Sequence, residues 1–170
     1  PLPLSAIRDS VGVAAPIDEV WSFFTTARNL ESLTPPDQRL RVGEGGDTVV
    51  HPGHRVQVSV MPLWPIRSGW TTLIEEVHPP GSGPDGEGWF TDIQLRGPFA
   101  RWHHRHAFRP LAGGGTAITD EVDYALPMGA LGRAVAGRWV AQQVAGLFDY
   151  RKAALIERFG AADWVEAEAE

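Results

Sequence analysis

Apolar and polar side chains alternate along residues 101–109 and 116–124, and this period of two predicts two β-strands. Counting every second residue, one face of the first strand carries Trp102, His104, His106 and Phe108. The matching face of the second strand carries Ile118, Asp120, Val122 and Tyr124. The opposite face of the first strand carries a basic row, formed by His103, Arg105 and Arg109. The opposite face of the second strand carries an acidic row, formed by Thr119, Glu121 and Asp123. Such rows would face each other across an antiparallel pair, so the mixed aromatic and ionisable face is expected to point inward.

The inward face of this hairpin therefore combines two histidines and an aspartate with aromatic rings. A buried polar group left without a partner costs about 1–3 kcal/mol. These side chains consequently need hydrogen bonds to one another, trapped water or a ligand. The pattern predicts a pocket whose occupant the residues do not name.

The rest of the chain alternates between helical and strand-like periods. Residues 4–14 predict an opening strand, and Val20, Trp21 and Phe24 form the apolar stripe of a helix that follows Pro16. Asn29 is expected to cap a second short helix. Further strands are predicted near residues 40–44, 54–61, 67–77, 88–96 and 101–109. A long helix is predicted from Met128 to Phe159.

The apolar residues of this long helix occupy two different sides. Leu131, Val135 and Trp139 share one side. The opposite side carries a second row, consisting of Val140, Val144, Leu147, Arg151 and Leu155. We therefore expect the first half of the helix to meet different neighbours from the second half.

Composition narrows the class of protein. A chain of 170 residues with 43% hydrophobic content suits one domain, here assigned to residues 1–160 with an acidic tail at 161–170. The absence of cysteine excludes disulfides and thiolate chemistry, and the start lacks the pattern of a secretory signal, so we expect a cytoplasmic protein. The net charge of −6 and the dispersed arginines argue against nucleic-acid binding, and no apolar run is long enough to span a membrane.

Two segments resemble a known superfamily. APIDEVWSFFTTARNLESLTPP is similar to the usual entry of the START, polyketide cyclase and birch-pollen-allergen (SRPBCC) superfamily. WFTDIQLRGPFARWHHRHAF followed by TAITDEVDYALPMGALGR resembles one bacterial group within it. The resemblance implies an α+β helix-grip fold, in which a curved antiparallel sheet wraps a long C-terminal helix and encloses a cavity for apolar or amphipathic molecules. The positions that match are Phe90, Asp92, Gln94, Trp102, His104, His106, Asp120 and Tyr124.

His104, His106 and Asp120 are the candidate catalytic residues, because a carboxylate can orient an imidazole that exchanges protons near neutral pH. The same residues could equally satisfy one another as a structural network or anchor a ligand. Asp92 and Gln94 are expected beside them. The candidates for an aromatic wall, each of which could also be plain core, are Trp64, Trp70, Phe90, Trp102 and Trp139.

A metal site would have only two inward histidines and Asp120, because alternation sends His103 outward. We therefore expect neither a metal nor another cofactor. Since the superfamily includes carriers, cyclases, hydrolases and hormone receptors, fold alone leaves function open. The expectation is a monomer or homodimer that binds a small hydrophobic or amphipathic molecule. The alternatives are a cyclase or dehydratase that uses the His–Asp pair, and a structural domain with a filled interior.

Overall fold

A computed structural model describes residues 4–63 and 66–164 of the chain. Seven strands are present, namely β1 Ser5–Val13, β2 Arg41–Val42, β3 Arg55–Leu63, β4 Ile66–His78, β5 Gly88–Arg96, β6 Arg101–Pro110 and β7 Thr116–Ala125. Two α-helices accompany them, α1 Ile17–Phe24 and α2 Gly129–Phe159. Short 3-10 helices occupy Ala27–Leu33, Pro36–Gln38 and Pro84–Gly86.

The strands form one antiparallel sheet in the order β1-β7-β6-β5-β4-β3-β2. Strands β2 to β7 lie side by side in chain order, whereas β1 closes the far side by pairing with β7. Helix α2 packs on one face, towards which Val144, Phe148, Arg151 and Leu155 are buried. This curved sheet with its long C-terminal helix confirms the predicted α+β helix-grip fold.

The apolar core has two parts beneath α2. One part packs α1 against the sheet and includes Val20, Phe23, Phe90 and Phe108. Edge-to-face ring contacts hold it together, such as the one between Trp21 and Phe108 with centroids 5.5 Å apart. The other part lies around Trp102, Tyr124, Val144 and Phe148 at the opposite end of the sheet.

The two halves of α2 differ as the sequence pattern predicts. In the first half, Leu131, Val135 and Trp139 are exposed, whereas in the second half Val144, Arg151 and Leu155 of the predicted row are buried and Leu147 is half-buried. No helix among the described residues has the length and hydropathy needed to cross a membrane.

Several local details depart from the sequence-based expectations. Asn29 does not cap a helix: it lies inside the 3-10 helix that Thr26 precedes, and its side-chain amide donates to the Phe23 carbonyl at 2.8 Å. Strand β2 has only two residues, because a loop begins at Gly43. The Gly43 amide donates a hydrogen bond to the Gln57 carbonyl at 2.7 Å. Residues 161–164 of the predicted tail lie against β1, where the Ala162 amide donates to the Gly12 carbonyl at 3.1 Å. Residues 165–170 lie outside the described part of the chain.

Candidate functional site

A cluster of ionisable side chains lies between the two parts of the core. Strand register brings four of them together, because Asp92 pairs with His104 across β5 and β6, and His106 pairs with Asp120 across β6 and β7. Arg151 is added from α2. All five are buried, with exposed fractions of 9% for Asp92, 5% for His104, 8% for His106, 5% for Asp120 and 5% for Arg151. The inward direction predicted for His104, His106 and Asp120 is confirmed.

Each imidazole lies close to both carboxylates. His104 Nε2 lies 2.8 Å from Asp120 Oδ1, within hydrogen-bonding geometry, and His106 Nε2 lies 3.1 Å from Asp92 Oδ2. His106 Nδ1 lies 2.8 Å from Asp120 Oδ1, but its orientation is too poor for a hydrogen bond. The two rings have centroids only 3.7 Å apart. Asp120 is therefore the group that both imidazoles share.

The pKa values of the two histidines are shifted in opposite directions, because burial outweighs the carboxylates at His104 and the carboxylates outweigh burial at His106. Burial and the neighbouring charge of His106 lower the pKa of His104 below its ordinary value, despite the hydrogen bond to Asp120. Burial also opposes the charged form of His106, but Asp120 and Asp92 outweigh it and raise the pKa of that imidazole. Burial works against ionisation of Asp120 as well, yet its contacts with both histidines hold its pKa well below the usual range. Of the two imidazoles, His106 therefore takes up a proton more readily than His104.

Arg151 completes the charge balance of the cluster. Its Nη1 lies 3.7 Å from Asp120 Oδ1, and its guanidinium lies 5.0 Å from the Phe148 ring centre. With both carboxylates ionised, Arg151 and protonated His106 make the cluster neutral overall, as burial in a medium of low polarity demands. Arg151 Nε and Nη1 have no hydrogen-bond partner among the described residues. These two nitrogen atoms of a buried cation can therefore donate hydrogen bonds to a water molecule or to an oxygen atom of a ligand.

Sequence reasoning did not select Arg151 as a site residue. Its signal was nevertheless visible, since it is the one charged residue in the helical row of Val144, Leu147 and Leu155 that was expected to share a side. A charge at an otherwise apolar position requires a buried counter-charge. What that counter-charge is depends on where α2 crosses the sheet.

Aromatic rings surround the polar cluster on both sides. Phe90 stacks on His106 with a centroid distance of 4.4 Å, and Phe24 lies 6.2 Å from the same imidazole. On the other side, Phe148 and Trp102 lie 6.0 and 6.1 Å from His104. Apolar side chains thus surround a small group of charged ones. Such surroundings suit a ligand that is mostly apolar and carries a few polar atoms.

The remaining predicted site residues divide into two groups. Tyr124 and Trp70 belong with Trp102: Trp70 and Trp102 have centroids 5.1 Å apart, and the buried Trp70 Nε1 has no hydrogen-bond partner among the described residues. Gln94 instead holds the turn that follows β5, because its amide nitrogen donates to the Phe99 carbonyl at 2.7 Å and its carbonyl oxygen accepts from the Phe99 amide at 3.2 Å.

One predicted aromatic wall residue is not part of this interior. Trp139 is 47% exposed and lies on the side of α2 opposite the buried row, so it does not line the interior. The helical period placed it correctly relative to Leu131 and Val135, but that side of α2 has no sheet to face. Trp64 lies outside the described residues.

The donor atoms of Asp92, His104 and His106 lie within 4.8 Å of one another, a spacing that one metal ion could bridge. The set differs from the one considered from sequence, because Asp92 replaces Asp120. His106 Nε2 already hydrogen-bonds to Asp92, and Arg151 adds a positive charge nearby, so a cation would have to displace an existing contact and add to the positive charge. We assign no metal to these residues.

Comparison with known proteins identifies the family of the chain. Residues 13–148 match the family described as "Polyketide cyclase / dehydrase and lipid transport". The chain belongs to this family. A search of curated proteins finds no match.

Solved structures of the same fold share little sequence with the chain. The Zhui aromatase/cyclase from Streptomyces sp. R1128 is 17% identical with a TM-score of 0.68, and the alignment covers 92% of this chain and 93% of that one. Norcoclaurine synthase from Thalictrum flavum is 14% identical with a TM-score of 0.63, covering 93% and 98% of the two chains. A START superfamily protein from Mycobacterium smegmatis is 13% identical with a TM-score of 0.62, covering 91% and 96%. At this level of identity the structures establish the fold alone.

Proposed function

We propose that this protein binds a small amphipathic molecule between the sheet and α2, with the ionisable cluster as its polar anchor. Family and fold indicate ligand binding or cyclase-type activity, and they leave the ligand open. The observation that carries the proposal is the set of buried donors without partners, Arg151 Nε and Nη1 and Trp70 Nε1. Each is a position where an oxygen atom of a ligand would recover a hydrogen bond that the described residues do not supply.

The ligand we infer is an aromatic or aliphatic body with at least one carbonyl or hydroxyl oxygen. The apolar body matches the rings of Phe90, Trp102 and Phe148 that enclose the cluster. The cluster is already neutral when His106 is protonated, so an uncharged oxygen suits Arg151 better than an additional anion. A cytoplasmic location and a monomeric or dimeric state remain predictions.

The test begins with native mass spectrometry of protein purified from its own host, followed by extraction of any retained small molecule. Its affinity is then measured for Trp70→Phe and for the matched control Trp139→Phe, which makes the same chemical change on the exposed side of α2. Loss of one hydrogen bond predicts an affinity about three- to tenfold weaker for Trp70→Phe and no change for the control. Equal affinities in the two variants, or an interior that retains no molecule, would contradict the proposal.

A second candidate, cyclisation and dehydration of a polyketide-like chain, is favoured by the opposite pKa shifts of the two histidines. Neutral His104, with Nε2–H donating to Asp120, leaves Nδ1 free to accept a proton from the carbon between two carbonyls. The resulting enolate carbon would attack a second carbonyl of the same chain, and protonated His106 would donate a proton to the alkoxide that forms. Loss of that hydroxyl as water, with a further proton from the ring carbon, would complete the dehydration.

This candidate makes a kinetic prediction that simple binding does not. With a synthetic linear poly-β-ketone as substrate, His104→Gln and His106→Gln should each reduce turnover at least about tenfold while the dissociation constant changes little. His103→Gln, on the outward face of the same strand, is the matched control and should keep full turnover. A protein that binds the compound without converting it would leave ligand binding as the function.

A further inference from the structure

A second polar site lies on the face of the sheet that points away from α2. A groove of about 730 Å³ runs over β2, β3, β4 and the end of β5. Its lining includes Arg41, Gln57, Ser59, Arg67 and Arg96 on the outer face, and it is also bordered by Trp70, whose strand position faces the interior. Register places it on the outer face, since Arg41 pairs with Ser59, Ser59 with Gly69 and Thr71 with Arg96, while the intervening Val56 and Val60 are buried.

Three arginines of the groove have no acidic partner. Among the described residues, no carboxylate lies within ion-pair distance of Arg41, Arg67 or Arg96. Elsewhere on the same face, Arg105 contacts Glu87 at 3.2 Å and Glu121 at 3.4 Å, whereas Arg55 and Arg109 stand singly on their strands with no ion pair among the described residues. In a chain with a net charge of −6, this leaves a local concentration of positive charge that the protein itself does not compensate.

The geometry of the groove keeps these charges accessible. Gly69 lies between the arginines, and a Cβ atom added there would meet no atom within 4 Å. Arg67 is held in place, because its Nη1 donates to Ser59 Oγ at 2.9 Å and to the Arg39 carbonyl at 3.3 Å. The carboxylate of Glu44 borders the groove and accepts a hydrogen bond from Gln57 at 3.2 Å. The centre of the groove therefore offers open space, positive charge and neutral donors.

We propose that this groove binds the phosphate group of a phosphorylated small molecule. Guanidinium groups present paired N–H donors that match phosphate oxygens, and several of them around one space favour a multiply charged anion over a single carboxylate. The volume exceeds that of a bare phosphate, so a pyrophosphate or a phosphate ester fits the groove. The site lies on the face opposite the proposed interior ligand, and each proposal can fail without the other.

Isothermal titration of the full chain with inorganic pyrophosphate at low ionic strength tests the proposal. Binding is expected, and Arg67→Gln and Arg96→Gln should each weaken it at least about tenfold, because each removes a charge-assisted hydrogen-bond donor. Gly69→Leu should abolish binding by filling the open space without removing a charge. Arg55→Gln is the matched control, since Arg55 lies on the same outer face, opposite Leu73 and outside the groove, and it should bind as the parent does.

Sedimentation with phosphatidic acid vesicles, compared with phosphatidylcholine vesicles, distinguishes a lipid phosphate from a soluble one. Binding to either pyrophosphate or phosphatidic acid that is lost in Arg67→Gln and kept in Arg55→Gln supports the site. Binding to neither probe overturns it. Equal weakening by Arg55→Gln and Arg67→Gln also overturns it, because the attraction would then be a general effect of net charge.

Discussion

The interior cluster and the outer groove both contain several charged side chains, but the charges are paired with one another only in the interior cluster. In the interior, Asp120 alone lies within 4 Å of both histidines and of Arg151, so each positive charge has a negative neighbour. In the groove, Arg67 has only neutral acceptors, the Ser59 hydroxyl and the Arg39 carbonyl. The two sites lie on opposite faces of one sheet, within a few strands of each other.

The difference follows from the access of water to each site. An uncompensated ion in a buried site loses several kcal/mol of hydration, so the interior requires balanced charges. Exposed arginines keep their hydration and can remain unpaired at little cost, ready for an anion from solution. The interior cluster is therefore expected to contribute to stability and to depend on pH, whereas the groove is expected to affect binding and to depend on salt.

The largest effect is expected from Asp120→Asn, which removes the carboxylate shared by the cluster. Leaving Arg151 and His106 without it should lower the free energy of unfolding by about 3–5 kcal/mol, measured by urea denaturation. Glu121→Gln, the adjacent residue on the outer face of β7, is the control and should cost less than about 1 kcal/mol. Equal losses would mean that the buried cluster is no more demanding than a surface ion pair.

A smaller effect, seen in pH dependence, should separate the two histidines. The pKa of His106 is raised on folding, so its contribution is complete below about pH 6.5 and is lost as pH rises through the folded value. The pKa of His104 is lowered, so stability falls as pH drops below about 6.5 and the unfolded chain takes up that proton first. Urea denaturation between pH 5 and pH 9 should therefore show a maximum.

The histidine variants identify the two sides of that maximum. His106→Gln should flatten the alkaline side, and His104→Gln should reduce the decline on the acid side. His78→Gln, at a half-buried site on β4 outside the cluster, is the control. A parent protein with no alkaline decline, or variants that affect the same side, would contradict the opposite pKa shifts.

The smallest effect on stability is expected in the groove. Arg41→Gln and Arg96→Gln should change the free energy of unfolding by no more than about 0.5 kcal/mol, because neither arginine has an ion pair to lose among the described residues. The same urea experiment measures it. A loss above about 1 kcal/mol would show that these arginines support the sheet, and the contrast between the two sites would then fail.

Sequence patterning predicted the faces of strands well and the ends of elements less well. Alternation placed His104, His106 and Asp120 inward and Arg105 opposite Glu121, as the register of β6 and β7 confirms. It could not reveal that Gln94 returns to Phe99, because that contact depends on the turn between β5 and β6. Trp139 shows a related limit: the helical period fixes which residues share its side, but not whether that side meets a sheet.

Sequence by itself determined which side of each strand is buried, because successive side chains of an extended chain point in opposite directions whatever the strand packs against. It also carried the order of elements from which the helix-grip fold is built. Only the tertiary structure decided the partners of the buried charges. Asp92, Asp120 and Arg151 come from two strands and a helix, and their contacts depend on sheet register and on the path of α2 across it. Tertiary structure likewise placed Gly69 among three arginines from separate strands, since packing between distant segments follows from the whole core.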